Sequence, residues 1–194
     1  MSPAACSAQH AKSHGFTLLE VLITLLVLGF GLLGLAGLQA RMLNAEFEAY
    51  QRTHAVMLAE DIASRIKANP SAARAGDYSG ATVYGTGNVM STTCDPTANL
   101  VTTDLCAWNR NLLGAATTTS GGDNIGAMLG ARGCIETIPS AAPVPEVQIR
   151  VTVTWQGTTP TVVQGVDCAA GMYGDDDSLR RAVSLTVMLA FLGV

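Results

Sequence analysis

HGFTLLEVLITLLVLGFGLLGL, residues 14–35, is the stretch that decides the fold of this chain. It lies mostly within residues 16–38, an apolar run of 23 residues in which Glu20 is the single ionisable side chain. A run of this length matches the hydrocarbon core of a bilayer, which is about 30 Å thick. The sequence therefore predicts a helix that spans a membrane.

The rest of the chain is more polar and is acidic. The 194 residues are 48% hydrophobic but only 13% charged, whereas an average soluble domain has about 25% charged residues. Residues 70–194 contain ten acidic and six basic side chains, a net charge of −4. Nonspecific nucleic-acid binding needs a basic surface, so no nucleic-acid partner is expected.

Three interpretations of the amino end compete. The first is a secretory signal cleaved after AGLQA at Ala40, and the second is an anchor that is never cut. Both leave Glu20 unexplained, because a carboxylate in hydrocarbon is costly and usually has a partner. The third is cleavage after Gly15, which creates a charged amine at Phe16 and makes Glu20 the fifth residue. Glu20 of one subunit can then neutralise the amine of its neighbour.

The same residues resemble the type IV prepilin signature, in which a short charged leader is followed by Gly, Phe and an apolar stretch with Glu at its fifth position. The resemblance implies cleavage between Gly15 and Phe16 by a prepilin peptidase, and N-methylation of Phe16. Glu20 is then the assembly residue. Three further strings, CDP…LC, VQIRVTVTWQG and RRAVSLTVMLAFL, resemble the PilV-type minor pilins, also called type IV pilus modification proteins.

The helix is expected to continue past the membrane. Residues 39–69 contain no Gly or Pro and are rich in good helix formers. Their apolar residues follow spacings of three and four, so one side should pack on the head, and Glu46, Glu48, Arg52 and Arg65 should face water or neighbours. Asn69-Pro70 should end the helix. The two apolar stripes are Leu38, Met42, Ala45, Ala49, Val56, Ala59 and Ala63, and Ala55, Leu58, Ile62 and Ile66.

The head is expected to be a small antiparallel sheet. Residues 147–157 and 181–191 alternate between apolar and polar side chains, which predicts half-buried strands, and residues 133–138 form a shorter candidate. Residues 70–129 are rich in small and polar residues and predict loops, with one helical turn at 107–115. The predicted fold class is α+β, the pilin fold: a long amino-terminal membrane-spanning helix packed on this sheet.

The cysteines indicate an oxidising compartment. Of the five, Cys6 would leave with the leader, and the other four permit three pairings. Cys94–Cys106 and Cys134–Cys168 are the expected disulfides, because they are neighbours in chain order.

No catalytic chemistry is evident. His54 is the only histidine outside the leader, so no Ser-His-Asp set can form in the head. No phosphate-binding loop or zinc spacing is present. Residues 175–177 could bind calcium, but their spacing favours a solvated turn. We expect no catalytic residue, metal or cofactor.

The sequence therefore predicts a minor pilin that helps to initiate pilus assembly near the tip. A pseudopilin of a type II secretion system and a membrane-anchored periplasmic enzyme are the alternatives. The expected domains are a leader (1–15), a transmembrane part (16–38), an amphipathic stalk (39–69) and a head (70–194). The expected partners are other minor pilins, the major pilin, the prepilin peptidase, the inner-membrane assembly platform and, before assembly, membrane lipid. Lys12 predicts a cytoplasmic amino end and a periplasmic head.

Overall fold

Seven elements make up the described structure, a computed structural model that covers residues 15–115, 119–121, 124, 128–139 and 146–189. In chain order they are α1 (Leu18–Ala68), α2 (Pro70–Ala75), β1 (Tyr84–Gly85), α3 (Leu100–Leu112), β2 (Arg132–Ile138), β3 (Val147–Gln156) and β4 (Arg180–Leu189). The predicted α+β class is confirmed. The chain divides into two units after Leu43, and α1 contributes residues to both.

The first unit contains the apolar part of α1. The helix continues without a break through Gly29, Gly31, Gly34 and Gly37. Glycine in a helix costs about 1 kcal/mol relative to alanine, but a backbone in lipid must satisfy its own hydrogen bonds, which favours the helix.

The end of α1 follows from one dipeptide. The helix stops at Ala68, immediately before Asn69-Pro70, where the sequence predicts its end. Pro70 then occupies the first turn of α2, where its missing N–H is no loss. The short helix closes on Gly76, whose φ of 86° is left-handed and whose N–H bonds to the carbonyls of Ala72 and Ala73.

The second unit contains an antiparallel sheet with the strand order β1-β2-β3-β4. The register places Ile135 beside Val151 and Val151 beside Leu185. The alternation predicted for β3 and β4 is confirmed on the side that faces the core. Side chains at alternate positions of these strands are buried there: Ile149, Val151, Val153, Trp155, Val187 and Leu189.

One of the two predicted helix stripes packs in this core. Ala55, Leu58, Ile62 and Ile66 are all buried in the cluster that includes the sheet. The other stripe is buried only from Ala59 onward, so that part of the prediction was wrong. Over residues 55–66 the buried stripe carries the larger side chains, and burying larger apolar area gains more free energy.

The opposite face of β3 is also covered toward the carboxyl end of the strand, so the prediction of a half-buried strand was wrong there. Thr152 is 1% exposed and Thr154 is fully buried. The connection between β3 and β4, residues 157–179, lies over this face, and its Cys168 and Tyr173 form a second buried cluster with Cys134.

Residues 100–112 are helical, although the sequence predicts loops for most of this region. Asn99 caps α3 by accepting a hydrogen bond from the Thr102 N–H at 2.8 Å. Trp108 and Leu112 then bury the apolar face of the helix in the main core. The cap and the i, i+4 spacing were both present in the sequence.

Candidate assembly segment at the amino end of helix α1

The residues before α1 are open to solvent. Gly15, Phe16 and Thr17 precede the first helical residue, Leu18, and the Phe16 side chain is 83% exposed. Apart from its chain neighbours, no heavy atom of the described residues lies within 4 Å of where a Gly15 side chain would begin. Nothing in the described structure therefore blocks access to the bond between Gly15 and Phe16.

Thr17 and Glu20 begin the helix together. The Glu20 backbone N–H donates to the Thr17 carbonyl at 3.1 Å and to the Thr17 hydroxyl at 3.2 Å. Thr17 is thus the cap, and Glu20 is at the third helical position of the capping-box pattern, although its carboxylate does not return a bond to Thr17 in the described residues. A negative side chain in the first turn also suits the helix dipole. Glu20 therefore has a local electrostatic role at the helix start, and the T-x-x-E pattern of the sequence is the signal for it.

The Glu20 carboxylate is nevertheless available to a partner. Its side chain is exposed, and within the described residues it makes no hydrogen bond or ion pair. In lipid such a carboxylate lacks water, which makes an external cation favourable. Gly15 and Phe16 thus come just before the first helical turn, which contains Glu20.

The apolar side chains after Glu20 are also exposed. The most apolar 18-residue window of α1 has a mean hydropathy of 2.5, and none of it is buried within the structure. Contiguous apolar surface of this kind marks a membrane or protein interaction. A shallow cavity of about 290 Å³ lies along this part of the helix, where Gly34 and Gly37 leave space and larger side chains complete the lining: Leu33, Leu38 and Arg41.

Two charged residues of α1 that were expected to face water or neighbours also contact the head: the Glu48 and Arg65 side chains are only 34% and 33% exposed. Glu48 accepts hydrogen bonds from the Thr158 hydroxyl at 2.8 Å and its N–H at 3.2 Å, and lies 3.5 Å from the Arg181 guanidinium. The Thr158 hydroxyl is the main cause that lowers the pKa of Glu48. Arg65 pairs with Asp61 at 3.0 Å and with Asp104 at 3.2 Å.

A buried polar network continues from Arg65. The Tyr78 hydroxyl donates to the Asp104 carboxylate at 2.7 Å, and Asn69 lies 3.4 Å from the same hydroxyl. Burial, with the neighbouring carboxylate, raises the pKa of Tyr78 to about 12. The phenol is fixed as a donor to Asp104, so this network joins the end of α1 to α3.

Two disulfides constrain the head. Cys94 bonds to Cys106, with Cα atoms 5.6 Å apart, and Cys134 bonds to Cys168, with Cα atoms 5.8 Å apart. The first joins the segment before α3 to the middle of that helix. The second joins β2 to the connection between β3 and β4.

The acidic turn considered for calcium is engaged within the protein. Asp177 accepts hydrogen bonds from the backbone N–H groups of Gly171 and Tyr173, at 2.6 and 3.3 Å, and pairs with Arg180 at 3.2 Å. Asp176 accepts from the Ser178 N–H at 3.1 Å. These carboxylates order the turn, and within the described residues no three metal-ligating side chains lie together.

Two family comparisons match adjoining parts of the chain. Residues 10–36 match the family described as the prokaryotic N-terminal methylation motif, and they include Gly15, Phe16 and Glu20. Residues 37–110 match the Tt1218-like family, described as type IV pilin Tt1218, and they include the rest of α1 and most of α3. No curated protein and no solved structure matches the chain.

Proposed function

We propose that this chain, which is a type IV pilin-like protein and thus a structural subunit, is a minor pilin that helps to initiate pilus assembly near the tip. The observation that carries the proposal is the unburied apolar part of α1, which begins with an exposed carboxylate at Glu20. A bilayer can cover that surface before assembly, and neighbouring subunits can cover it afterwards. The PilV-type motifs quoted above favour a minor role.

Processing follows from the amino end. We infer that a prepilin peptidase cuts between Gly15 and Phe16, and that Phe16 is then N-methylated. Support comes from the methylation motif at residues 10–36 and from the exposure of Phe16. Residues 1–15 are then the leader, 16–38 the transmembrane part, 39–69 the stalk and 70–194 the head.

Glu20 gives the subunit its register. In the proposed filament its carboxylate pairs with the methylated amine of a neighbour, and each charge offsets the desolvation of the other. Thr17 supports this role because it fixes the first turn, and with it the position of Glu20, through the 3.2 Å bond to the Glu20 N–H.

The proposed route begins in the inner membrane. The chain crosses once, with its amino end in the cytoplasm and its head in the periplasm, and then enters the pilus. One helix of the described chain is long and apolar enough to cross. Two disulfides in the head fit an oxidising periplasm. The proposed partners are the other minor pilins, the major pilin, the prepilin peptidase and the assembly platform.

Two other functions make different predictions. A pseudopilin of a type II secretion system would share the leader, the cleavage site and the apolar helix with Glu20. Its loss would stop secretion rather than piliation. A membrane-anchored enzyme needs a catalytic set. In the described part His54 is the only histidine, and its ring stacks on Tyr50 with centroids 6.1 Å apart. We therefore propose a non-enzymatic role.

The test combines mass spectrometry with fractionation. Intact mass and amino-terminal peptides should show a chain that begins at methylated Phe16, and the protein should occur in sheared pili at a low ratio to the major pilin. A deletion should reduce piliation and leave secretion unchanged. A chain that begins at residue 1 or 41, or a deletion that affects secretion alone, would overturn the proposal.

A further inference from the structure

The two edges of the sheet differ in how far their backbone groups are hydrogen-bonded within the described residues. Along the outer side of β2, Tyr84 and Gly85 pair with the strand, and the Gly80 N–H donates to the Ile135 carbonyl at 3.1 Å. Further along, the Thr137 hydroxyl bonds to Ser79 at 2.8 Å. The opposite edge is β4, and within the described residues no strand pairs with its outer side.

The alternation of hydrogen bonds along β4 identifies the backbone groups that do not bond to β3. The Gly157 N–H donates to the Leu179 carbonyl at 2.8 Å, and the same register continues along β3 and β4. Hydrogen-bonded and non-bonded pairs alternate in an antiparallel ladder, so odd-numbered residues of β4 bond to β3. The even-numbered residues direct their N–H and C=O groups outward. Over the described chain these groups have no partner at Ala182, Ser184, Thr186 and Met188.

Within the part of the chain that the structure describes, this edge lacks the features that usually prevent strand addition. Proteins blunt exposed edges with charges, prolines, bulges or a covering segment. Residues 182–189 contain no charge and no proline. Ser184 and Thr186 are exposed, Met188 is 61% exposed, and Val183 and Leu185 are only partly buried on the core side.

We propose that β4 binds an extended segment of a neighbouring pilin-like subunit, which joins the sheet as an additional antiparallel or parallel strand. This inference rests on the proposed function, since it requires that other subunits surround the head. The unpartnered N–H and C=O groups at alternate positions of residues 182–188 supply the hydrogen bonds, as in other cases of strand addition.

The edge also defines the chemistry of the segment. Side chains on its core side must be apolar, because they lie beside Val183 and Leu185. On the other side, Arg150 lies next to Thr186 and has only a loose 3.9 Å contact with Glu136. Arg150 lies two strands, or about 10 Å of backbone spacing, from the added segment, so its charge favours an acidic over a basic residue there through a longer-range attraction and not as a direct cross-strand pair.

A neighbouring subunit fits better than a second copy joined by its own β4. Two identical β4 strands would form a closed two-fold pair, whereas subunits along a filament meet through different surfaces. A strand supplied by a different surface leaves the partner's own contacts available for further assembly.

Photo-crosslinking of the full-length protein in piliated cells tests the proposal. A photoreactive residue at Met188 should give a discrete adduct with another pilin-like subunit, mapped by mass spectrometry to an extended segment. The same residue at Val162, which is 89% exposed in the β3–β4 connection, should give none. Thr186→Pro removes one outward N–H without affecting the ladder to β3, and Ser184→Lys places a charge at the edge. Each should reduce the Met188 adduct about tenfold or more, and Val162→Lys should not.

The outcomes separate this inference from the proposed function. Absence of the Met188 adduct from protein that is still recovered in sheared pili would overturn strand addition and leave the pilin role intact. An adduct between two copies of this chain, or to its own residues, would overturn the proposed occupant. Protein that is absent from pili and forms no adduct would overturn both.

Discussion

Trp108 donates its indole N–H to the backbone carbonyl of Leu58 at 2.8 Å, which fastens α3 to α1 across 50 residues of sequence. The Trp108 side chain is fully buried. Its ring also limits the next strand, because a side chain at Gly133 would begin 2.4 Å from Trp108 Cη2 and 2.8 Å from Cζ2. One tryptophan thus explains both a tertiary hydrogen bond and the need for glycine in β2.

Gly133→Ala should reduce the free energy of unfolding by about 1–3 kcal/mol, because neither the ring nor Leu112 has room for the methyl group. Trp108→Phe should cost about 1–3 kcal/mol through the lost hydrogen bond and a small void. Phenylalanine lacks the ring atoms that clash, so the double variant should be about 1 kcal/mol more stable than additivity predicts. Urea unfolding of the protein in detergent measures all three. Additive effects would contradict the steric explanation.

Glu20 variants should separate helix capping from assembly. Glu20→Gln keeps the shape and hydrogen-bonding ability of the side chain but removes its charge, and Glu20→Ala removes both. We expect both variants to be stable, inserted and processed, but to enter sheared pili about tenfold less well, as loss of a desolvated ion pair implies.

Thr17→Ala is the matched control for the Glu20 series, because it removes the cap and leaves the carboxylate. It should fray the first turn and reduce incorporation much less. The measurement is the ratio of each variant in membranes and in sheared pili. Normal incorporation of Glu20→Gln would show that the charge is not used.

The contact between Glu48 and Thr158 should weaken in acid. The hydrogen bonds from Thr158 lower the pKa of the Glu48 carboxyl group in the folded protein. Stability from such a group is complete above the pKa of the unfolded chain, about 4.3, and is lost as the pH falls through the lower folded value. Wild type should therefore be more stable than Glu48→Gln at neutral pH, and the difference should shrink below about pH 4. Unfolding curves from pH 3 to 7 measure it, and a constant difference would exclude the charge as its source.

Two arginines should differ sharply in importance. Arg180 is 2% exposed, pairs with Asp177, and donates to the carbonyls of Gln164, Val166 and Cys168. Arg180→Met leaves Asp177 buried without a counter-charge, which should cost about 3–5 kcal/mol. Arg150→Met is the control, since its ion pair is exposed and loose and should contribute less than about 1 kcal/mol. Similar costs for both variants would contradict this account of the β3–β4 connection.

Patterns that repeat along the chain were predictable, and contacts between distant segments were not. The alternation of β3 and β4 predicted the strands and their core face, because burial of one face imposes a period of two. Thr152 and Thr154 were expected to be exposed, since nothing local indicates that residues 157–179 return over them. From that connection Tyr173 bonds to Thr154 at 2.9 Å, and Cys168 Sγ lies 3.9 Å from the Thr152 carbonyl.

The amino end shows a different limit. Sequence patterns single out Gly15, Phe16 and Glu20 through their spacing, and the geometry adds Thr17 as the cap. Asn99 is a typical N-cap residue and could have predicted the start of α3. The threonines that follow it are poor helix formers, and they interrupt the apolar spacing that would otherwise indicate a helix. In α1, no periodicity indicates that Glu48 would be drawn to Thr158.

If the head is exported as proposed, the main core also has a consequence for the order of events. Ala55 and Ile62 of α1 share it with Val187 and Leu189 of β4, which come near the end of the described chain. Such distant contacts slow folding, because the intervening chain must be ordered before they form. If the amino-terminal helix stays in the membrane while the rest of the chain is translocated, the hydrophobic core of the head cannot be complete until β4 has emerged. Quality control could therefore recognise an incompletely translocated subunit by the exposed apolar stripe of α1.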